Sequence, residues 1–239
     1  MVKKCIFCGA DSSGSKSVEH IIPESLGNKE YVLPRGVVCD KCNNYFARKI
    51  EGPVLSLDGF RQLRFYSFIE NKEGRIPTSD ALICGDRVKA KWIETGAEEH
   101  SLLLEVDPKT VYKIIKNPPK MFITRGYDLR DDENHRYDIS RFLAKLAIEY
   151  FVYLNLDELK EEGEEANLIF DDKLTRMIHF VRFGRNDSRP LDYKVYKKSM
   201  GEKDYVISLK FESSEDQLIF VLRINETFFE LNLTNNAGL

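Results

Sequence analysis

The chain has 239 residues, of which 42% are hydrophobic and 31% charged, with a net charge of −3. That is enough chain for one large or two modest domains with a proper core, and too balanced a composition for a disordered tail or a generally basic nucleic-acid binder. No apolar run approaches the roughly 18 residues of a membrane span, and Cys5 follows Met1 too closely for a secretory leader, so a cytoplasmic, reducing environment is expected.

Four of the five cysteines form two Cys-x-x-Cys pairs, Cys5/Cys8 and Cys39/Cys42. This spacing lets both sulfurs of a pair reach one ion at about 2.3 Å, and two pairs supply the four thiolates of a closed, structural Zn²⁺ site. Disulfides or free buried thiols compete with that reading, and a reducing compartment disfavours disulfides. Between the pairs, residues 17–23 are predicted as a short strand stopped by Pro23, which cannot continue a ladder. The strand carries Glu19 and His20, neighbours that point to opposite faces. Residues 24–36, with Gly27, Asn28, Pro34 and Gly36, are predicted as a loop, and Val37-Val38 as a second strand. From Asn43, the pattern of Tyr45, Phe46 and Ile50 against Arg48, Lys49 and Glu51 predicts an amphipathic helix closed by Gly52-Pro53. Residues 1–52 hold eight Lys/Arg against six Asp/Glu, so any phosphate footprint is a local patch.

A domain boundary is predicted near Gly52-Pro53. Residues 54–69 read as a helix with Arg61 and Arg64 on its polar side, where they touch a phosphate backbone or face solvent. Residues 71–80 are rich in turn formers, and Cys84, at the end of an apolar run, is expected to be a small buried residue. Segments 87–94, 101–106, 111–115 and 121–124 alternate as an antiparallel meander. Helices are predicted at 139–154 and 173–183, both with apolar side chains at helical spacing. Between them, the acidic run 157–165 reads as an exposed loop. Strands at 205–211, 217–224 and 228–233 close the chain. Lys194, Lys197 and Lys198 with Tyr193 and Tyr196 suit either a basic, aromatic strip for a nucleic-acid strand or a solvated edge strand protected by lysine. Of four histidines, His100 and His135 fall in charged loops and His179 in a packed helical position, which leaves His20 alone inside a motif. The expected fold is α+β: a small N-terminal zinc-stapled ββα unit, residues 1–52, and a larger C-terminal α+β domain with antiparallel strands, residues 53–239.

The order Cys5-x-x-Cys8, Glu19-His20-Ile21-Ile22-Pro23, Cys39-x-x-Cys42-Asn43 resembles the HNH endonuclease family, in its ββα-metal form with a zinc-binding double Cys-x-x-Cys. The resemblance implies Glu19 as the acidic ligand of one catalytic Mg²⁺ or Mn²⁺, His20 as the general base, and Asn43 as the helical amide ligand. Two departures stand out: Glu where Asp is usual, and Ala47 where many members carry a last His, so that Asn44, Glu51 or water is left for a further ligand role. The residue types suit the chemistry. A neutral imidazole with a pKa of about 6.5 can take a proton from water at neutral pH, and a hard ion prefers carboxylate and amide oxygens. Asn43 and Asn44 are equally good N-cap residues.

The resemblance further implies DNA as partner and a prokaryotic setting such as restriction, phage defence or mobile-element biology. It also implies a C-terminal region that selects the target, regulates cutting or dimerises, since double-strand cleavage by one-metal sites calls for a homodimer. Arg48, Lys49, Arg61 and Arg64 are the candidate DNA contacts. The alternative is a zinc-ribbon nucleic-acid-binding or interaction module without catalysis.

Overall fold

The structure, a computed structural model, describes residues 4–71, 73–96, 99–119, 123–124, 129, 133–157, 172–184, 189–199, 206–214 and 217–234. It is α+β, with all strand pairings antiparallel among the described residues. The chain forms two units: residues 1–24, 28–55 and 130–239, and residues 25–27 and 56–129.

In the first unit, β1 (Glu19–His20) pairs with β2 (Val32–Leu33), His20 opposite Val32. The second strand therefore lies inside the expected loop. The cause is Asn28, whose buried side chain turns the chain back early. Its amide donates to the carbonyls of Ile22 (2.6 Å) and Tyr31 (3.0 Å), and its Oδ1 accepts from the N–H groups of Glu30 (3.0 Å) and Tyr31 (2.9 Å). Val37, expected in that strand, instead accepts from the Ile6 N–H at 3.1 Å. Helix α1 (Asp40–Phe46) runs without a break into a π-helical turn (Ala47–Glu51) and α2 (Gly52–Leu55), so Gly52-Pro53 does not close it. The wide turn accommodates Pro53, which has no N–H to donate.

Helix α5 (Arg136–Leu154) is the centre of this unit. Every residue from Ile139 to Glu149 is buried, as befits a helix covered on all sides. It packs on β2, the π turn and α2, on the later helix α6 (Asp172–Phe183), and on the C-terminal sheet. That sheet has the order β7-β10-β9-β8, from β7 (Tyr193–Lys197), β8 (Ile207–Ser213), β9 (Leu218–Ile224) and β10 (Thr227–Asn232). The lysine-bearing strand β7 is an edge strand, with Lys194 and Lys197 exposed. His179 is exposed, not packed, because Met177, Ile178, Phe180 and Val181 take the inward positions of α6.

The second unit contains α3 (Asp58–Tyr66) and a sheet of order β5-β4-β3-β6, built from β3 (Ser79–Ile83), β4 (Asp86–Gly96), β5 (Glu99–Glu105) and β6 (Ile123–Thr124). His100 lies on β5 rather than in a loop. Phe65, Ala81, Ile83, Val88 and Ala90 form its core. The expected strand at 111–115 is a helix, α4 (Pro108–Lys116): Asp107 caps it, accepting from the Thr110 N–H at 2.8 Å, and Pro108 occupies the first turn. Cys84 is exposed at φ 52°, forming with Gly85 (φ 80°) the two-residue turn between β3 and β4. Of the acidic run 157–165, all but Asp157 lies outside the described residues. No described helix is long and apolar enough to cross a membrane.

Candidate functional site

The sulfurs of Cys5, Cys8, Cys39 and Cys42 all lie within 4.8 Å of one another. The Cys8–Cys39 separation of 3.7 Å matches the edge of about 3.8 Å of a tetrahedron with 2.3 Å metal–sulfur bonds. The two knuckles are local: Gly9, at φ 67°, returns its N–H to the Cys5 carbonyl at 2.9 Å, and Cys39 caps α1 through its sulfur, which accepts from the Cys42 N–H at 3.4 Å. Four thiols so close together are positioned to bind a metal ion, and their chemistry and spacing fit a structural Zn²⁺.

Helix α1 is tied to the strand that carries the motif. The Asp40 carboxylate accepts from the N–H groups of Lys16 (3.1 Å) and Ser17 (2.9 Å) and from the Ser17 hydroxyl (2.5 Å). The Ser17 hydroxyl, more than any other group, holds the Asp40 carboxyl below its ordinary range. One turn on, Asn43 donates its amide to the Val18 carbonyl at 2.8 Å, which leaves its own carbonyl oxygen as the end available to an ion. Asn44 is exposed, and neither asparagine caps α1.

His20 is half-buried. Its Nε2 stands 3.4 Å from Glu24 Oε1, while its Nδ1 is buried with no hydrogen-bond partner. Glu24 thus stands on the Nε2 side of the ring, away from the buried Nδ1; carboxylate and amide oxygens are the donor types a hard divalent ion prefers.

Glu19 faces the other way, as strand alternation requires. Its carboxylate is 2.6 Å from the Lys145 ammonium on α5. Lys145, fully buried, also meets Glu51 from the π turn (2.8 Å) and Glu149 one turn along α5 (2.8 Å). Burial alone would lower the Lys145 pKa, but Glu149, Glu19 and Glu51 together hold it well above its usual value. Burial pushes the Glu19 and Glu149 carboxyls up. One oxygen of each, Glu19 Oε2 and Glu149 Oε1, is buried without a partner. The structure thus joins Glu19 to Glu51, Glu149 and Lys145 rather than to His20.

Of the candidate DNA contacts, Arg48 and Lys49 are exposed on the π turn. Arg61 and Arg64 belong to the second unit. Arg61 pairs with Asp58 at 3.6 Å, and burial, then Arg61, lowers the pKa of Arg64. Sequence reasoning assigned no site role to Asn28, Asp40, Lys145, Glu149 or Arg182. Arg182 of α6 donates to Cys42 Sγ at 3.3 Å and lies over the Tyr45 ring at 4.4 Å. A signal existed for Lys145 and Glu149, opposite charges at i,i+4 within an otherwise apolar helix; none existed for Arg182.

No curated protein and no solved structure matches the chain. The family model described as HNH endonuclease matches residues 5–56, a stretch that includes all four clustered cysteines, the Glu19-His20 strand and the Asn43 helix. By motif, by the β1–β2–α1 arrangement and by this match, residues 5–56 are similar to the HNH endonuclease family.

Proposed function

We propose that the chain is a metal-dependent endonuclease that hydrolyses DNA phosphodiester bonds, with residues 1–52 cutting and the remainder selecting the target or regulating the cut. The observation that carries this is His20: half-buried on a strand clamped to α1, with Nε2 beside Glu24 and an orphaned Nδ1. Glu24 favours a proton on Nε2 and so leaves Nδ1, buried in the free chain, as the nitrogen to accept a proton from an attacking water that bound substrate brings to it.

Asn43 through its carbonyl oxygen, and Glu24 as the carboxylate beside the imidazole, are the residues to hold one Mg²⁺ or Mn²⁺. Bound there, such an ion offsets charge on the phosphate and stabilises the leaving oxygen. Glu19 reaches the same place only by leaving Lys145, and we assign the ligand role to Glu24 before it. Arg48 and Lys49, exposed on the adjoining π turn, would neutralise backbone phosphates.

The test is cleavage of supercoiled plasmid with Mg²⁺ or Mn²⁺ by the wild type and by His20→Ala at matched zinc content. Ion-dependent nicking or linearisation that disappears in the variant supports the proposal, and equal cleavage by both overturns the role of His20. DNA binding without cleavage by either favours the non-catalytic module, a reading that Ala47 in place of the usual last His and the engagement of Glu19 by Lys145 keep in play.

A further inference from the structure

We propose that Lys145 is a positioning residue of the nuclease centre: a single buried ammonium from α5 that clamps the strand carrying His20 to the helix that follows it, and holds Glu19 away from the catalytic ion. This rests on the nuclease reading above.

The HNH segment brings two carboxylates to this point, Glu19 from β1 and Glu51 from the π turn, and no cation of its own among the described ion pairs there. Lys145 meets them at 2.6 and 2.8 Å, and its side chain has no exposure to solvent. The third carboxylate, Glu149 at 2.8 Å, comes from the same helix as the lysine. It therefore adds nothing to the link between α5 and the HNH segment. Because Glu19 and His20 are consecutive on a strand, fixing the Glu19 side chain on the buried face fixes the face from which the imidazole projects. Glu19 Oε2 is already unpartnered in its buried position. Loss of the ammonium would leave Glu19 as an uncompensated buried charge, and its relief is to rotate the strand toward solvent. The orientation of His20 is the property at stake, more than the affinity for DNA.

The experiment follows the ring resonances of His20 by NMR in the zinc-loaded full chain, assigned by their loss in His20→Ala among only four histidines. Alongside, single-turnover plasmid cleavage is measured at saturating DNA, with DNA affinity measured separately in the absence of Mn²⁺. Three variants are compared. Glu149→Gln removes the carboxylate that is not part of the link. Glu19→Gln removes the charge of the link at the strand, leaving at most a neutral hydrogen bond to Lys145. Lys145→Met with Glu19→Gln and Glu149→Gln removes the link while neutralising the two most deeply buried carboxylates and leaving only the partly exposed Glu51 charged, so that folding is preserved.

The expected result is a wild-type His20 signal and rate for Glu149→Gln. For the other two, the His20 resonances shift and the rate falls at least tenfold, with unchanged DNA affinity and unchanged Mn²⁺ concentration at half-maximal rate. Wild-type His20 resonances in both of these variants would overturn the proposal and reduce Lys145 to an ordinary core ion pair. A raised Mn²⁺ requirement in Glu19→Gln with an unmoved His20 signal would also overturn it, by making Glu19 an ion ligand. If the triple variant does not fold, Glu19→Gln alone decides. If the wild type does not cleave, the nuclease reading fails separately while the His20 resonances still decide the positioning role.

Discussion

Replacing Asn28 tests the claim that one side chain sets the register of the motif strand. It makes four hydrogen bonds, all to backbone groups, and is buried. At about 1 kcal/mol net for each bond, Asn28→Ala forfeits all four. Glu30 is exposed, so water recovers its N–H, and the remaining loss is about 3 kcal/mol. With a urea m-value of about 2–3 kcal/mol/M, the unfolding midpoint of the zinc-loaded protein should fall by about 1 M or more. Plasmid cleavage should fall with it, because Tyr31, which Asn28 grips from both sides, adjoins the Val32 that pairs with His20.

Asn28→Asp separates donor from acceptor. It preserves shape and the two accepted bonds, but presents an oxygen to the carbonyls of Ile22 and Tyr31. At neutral pH it should be at least as destabilising as alanine, and it should recover as acid protonates the new carboxyl and restores a donor. A loss below 1 kcal/mol for Asn28→Ala, or an aspartate variant insensitive to pH, would refute this account.

Three other outcomes are expected. Thiol titration of the zinc-loaded chain should show one fast cysteine, the exposed Cys84, and four that react only after chelation; five reacting together would mean that the Cys5/Cys8/Cys39/Cys42 cluster holds no metal. Burial raises the Glu149 carboxyl above its ordinary range, so the folded chain holds a proton there more readily than the unfolded chain does. The contribution of Glu149 to stability should therefore fall as pH rises above the ordinary carboxylate range, and Glu149→Gln should gain on the wild type with rising pH in paired denaturation curves, whereas a difference flat with pH would refute the burial effect. Cys84→Asn should stabilise the second unit by about 0.5–1 kcal/mol, since asparagine tolerates the left-handed conformation better. Fluorescence of the single tryptophan, Trp92, whose indole donates to the Phe65 carbonyl at 2.9 Å within that unit, provides the readout.

What the sequence disclosed was local. Two-residue cysteine spacing, the Glu-His strand and the apolar spacing of α5 each lie within a few turns of chain, and each reappears in the structure. Misreadings came where a short-range signal was outweighed. Val111, Ile114 and Ile115 look like a strand, but Asp107 and Pro108 start a helix there. Cys84 looks like a core residue, but it sits where a two-residue turn demands positive φ. Val37-Val38 looks like the partner strand, but Asn28 folds the chain back earlier. Of the carboxylate partners of Lys145, Glu19 and Glu51 could not be read at all, because they meet it only through the tertiary fold. The same holds for Glu24 beside His20, since nothing in the sequence distinguishes it from any loop carboxylate.

The first unit is interrupted by residues 56–129, and this gives its assembly an order in time. During synthesis the two cysteine knuckles and the Asn28 turn are complete once residue 55 has emerged. Ile21, Ile22, Leu33 and Phe46, all fully buried in the finished molecule, still lack the α5 side chains Phe142, Leu143 and Leu146 with which they share a unit. At about 5–20 residues per second, α5 arrives roughly ten seconds later. Until then Glu19 and Glu51 remain in water and nothing holds the His20 strand against a core. A nascent or prematurely terminated chain would thus bring its four cysteines together without the α5 support of the His20 strand, so the layout delays completion of the proposed centre until α5 has been made.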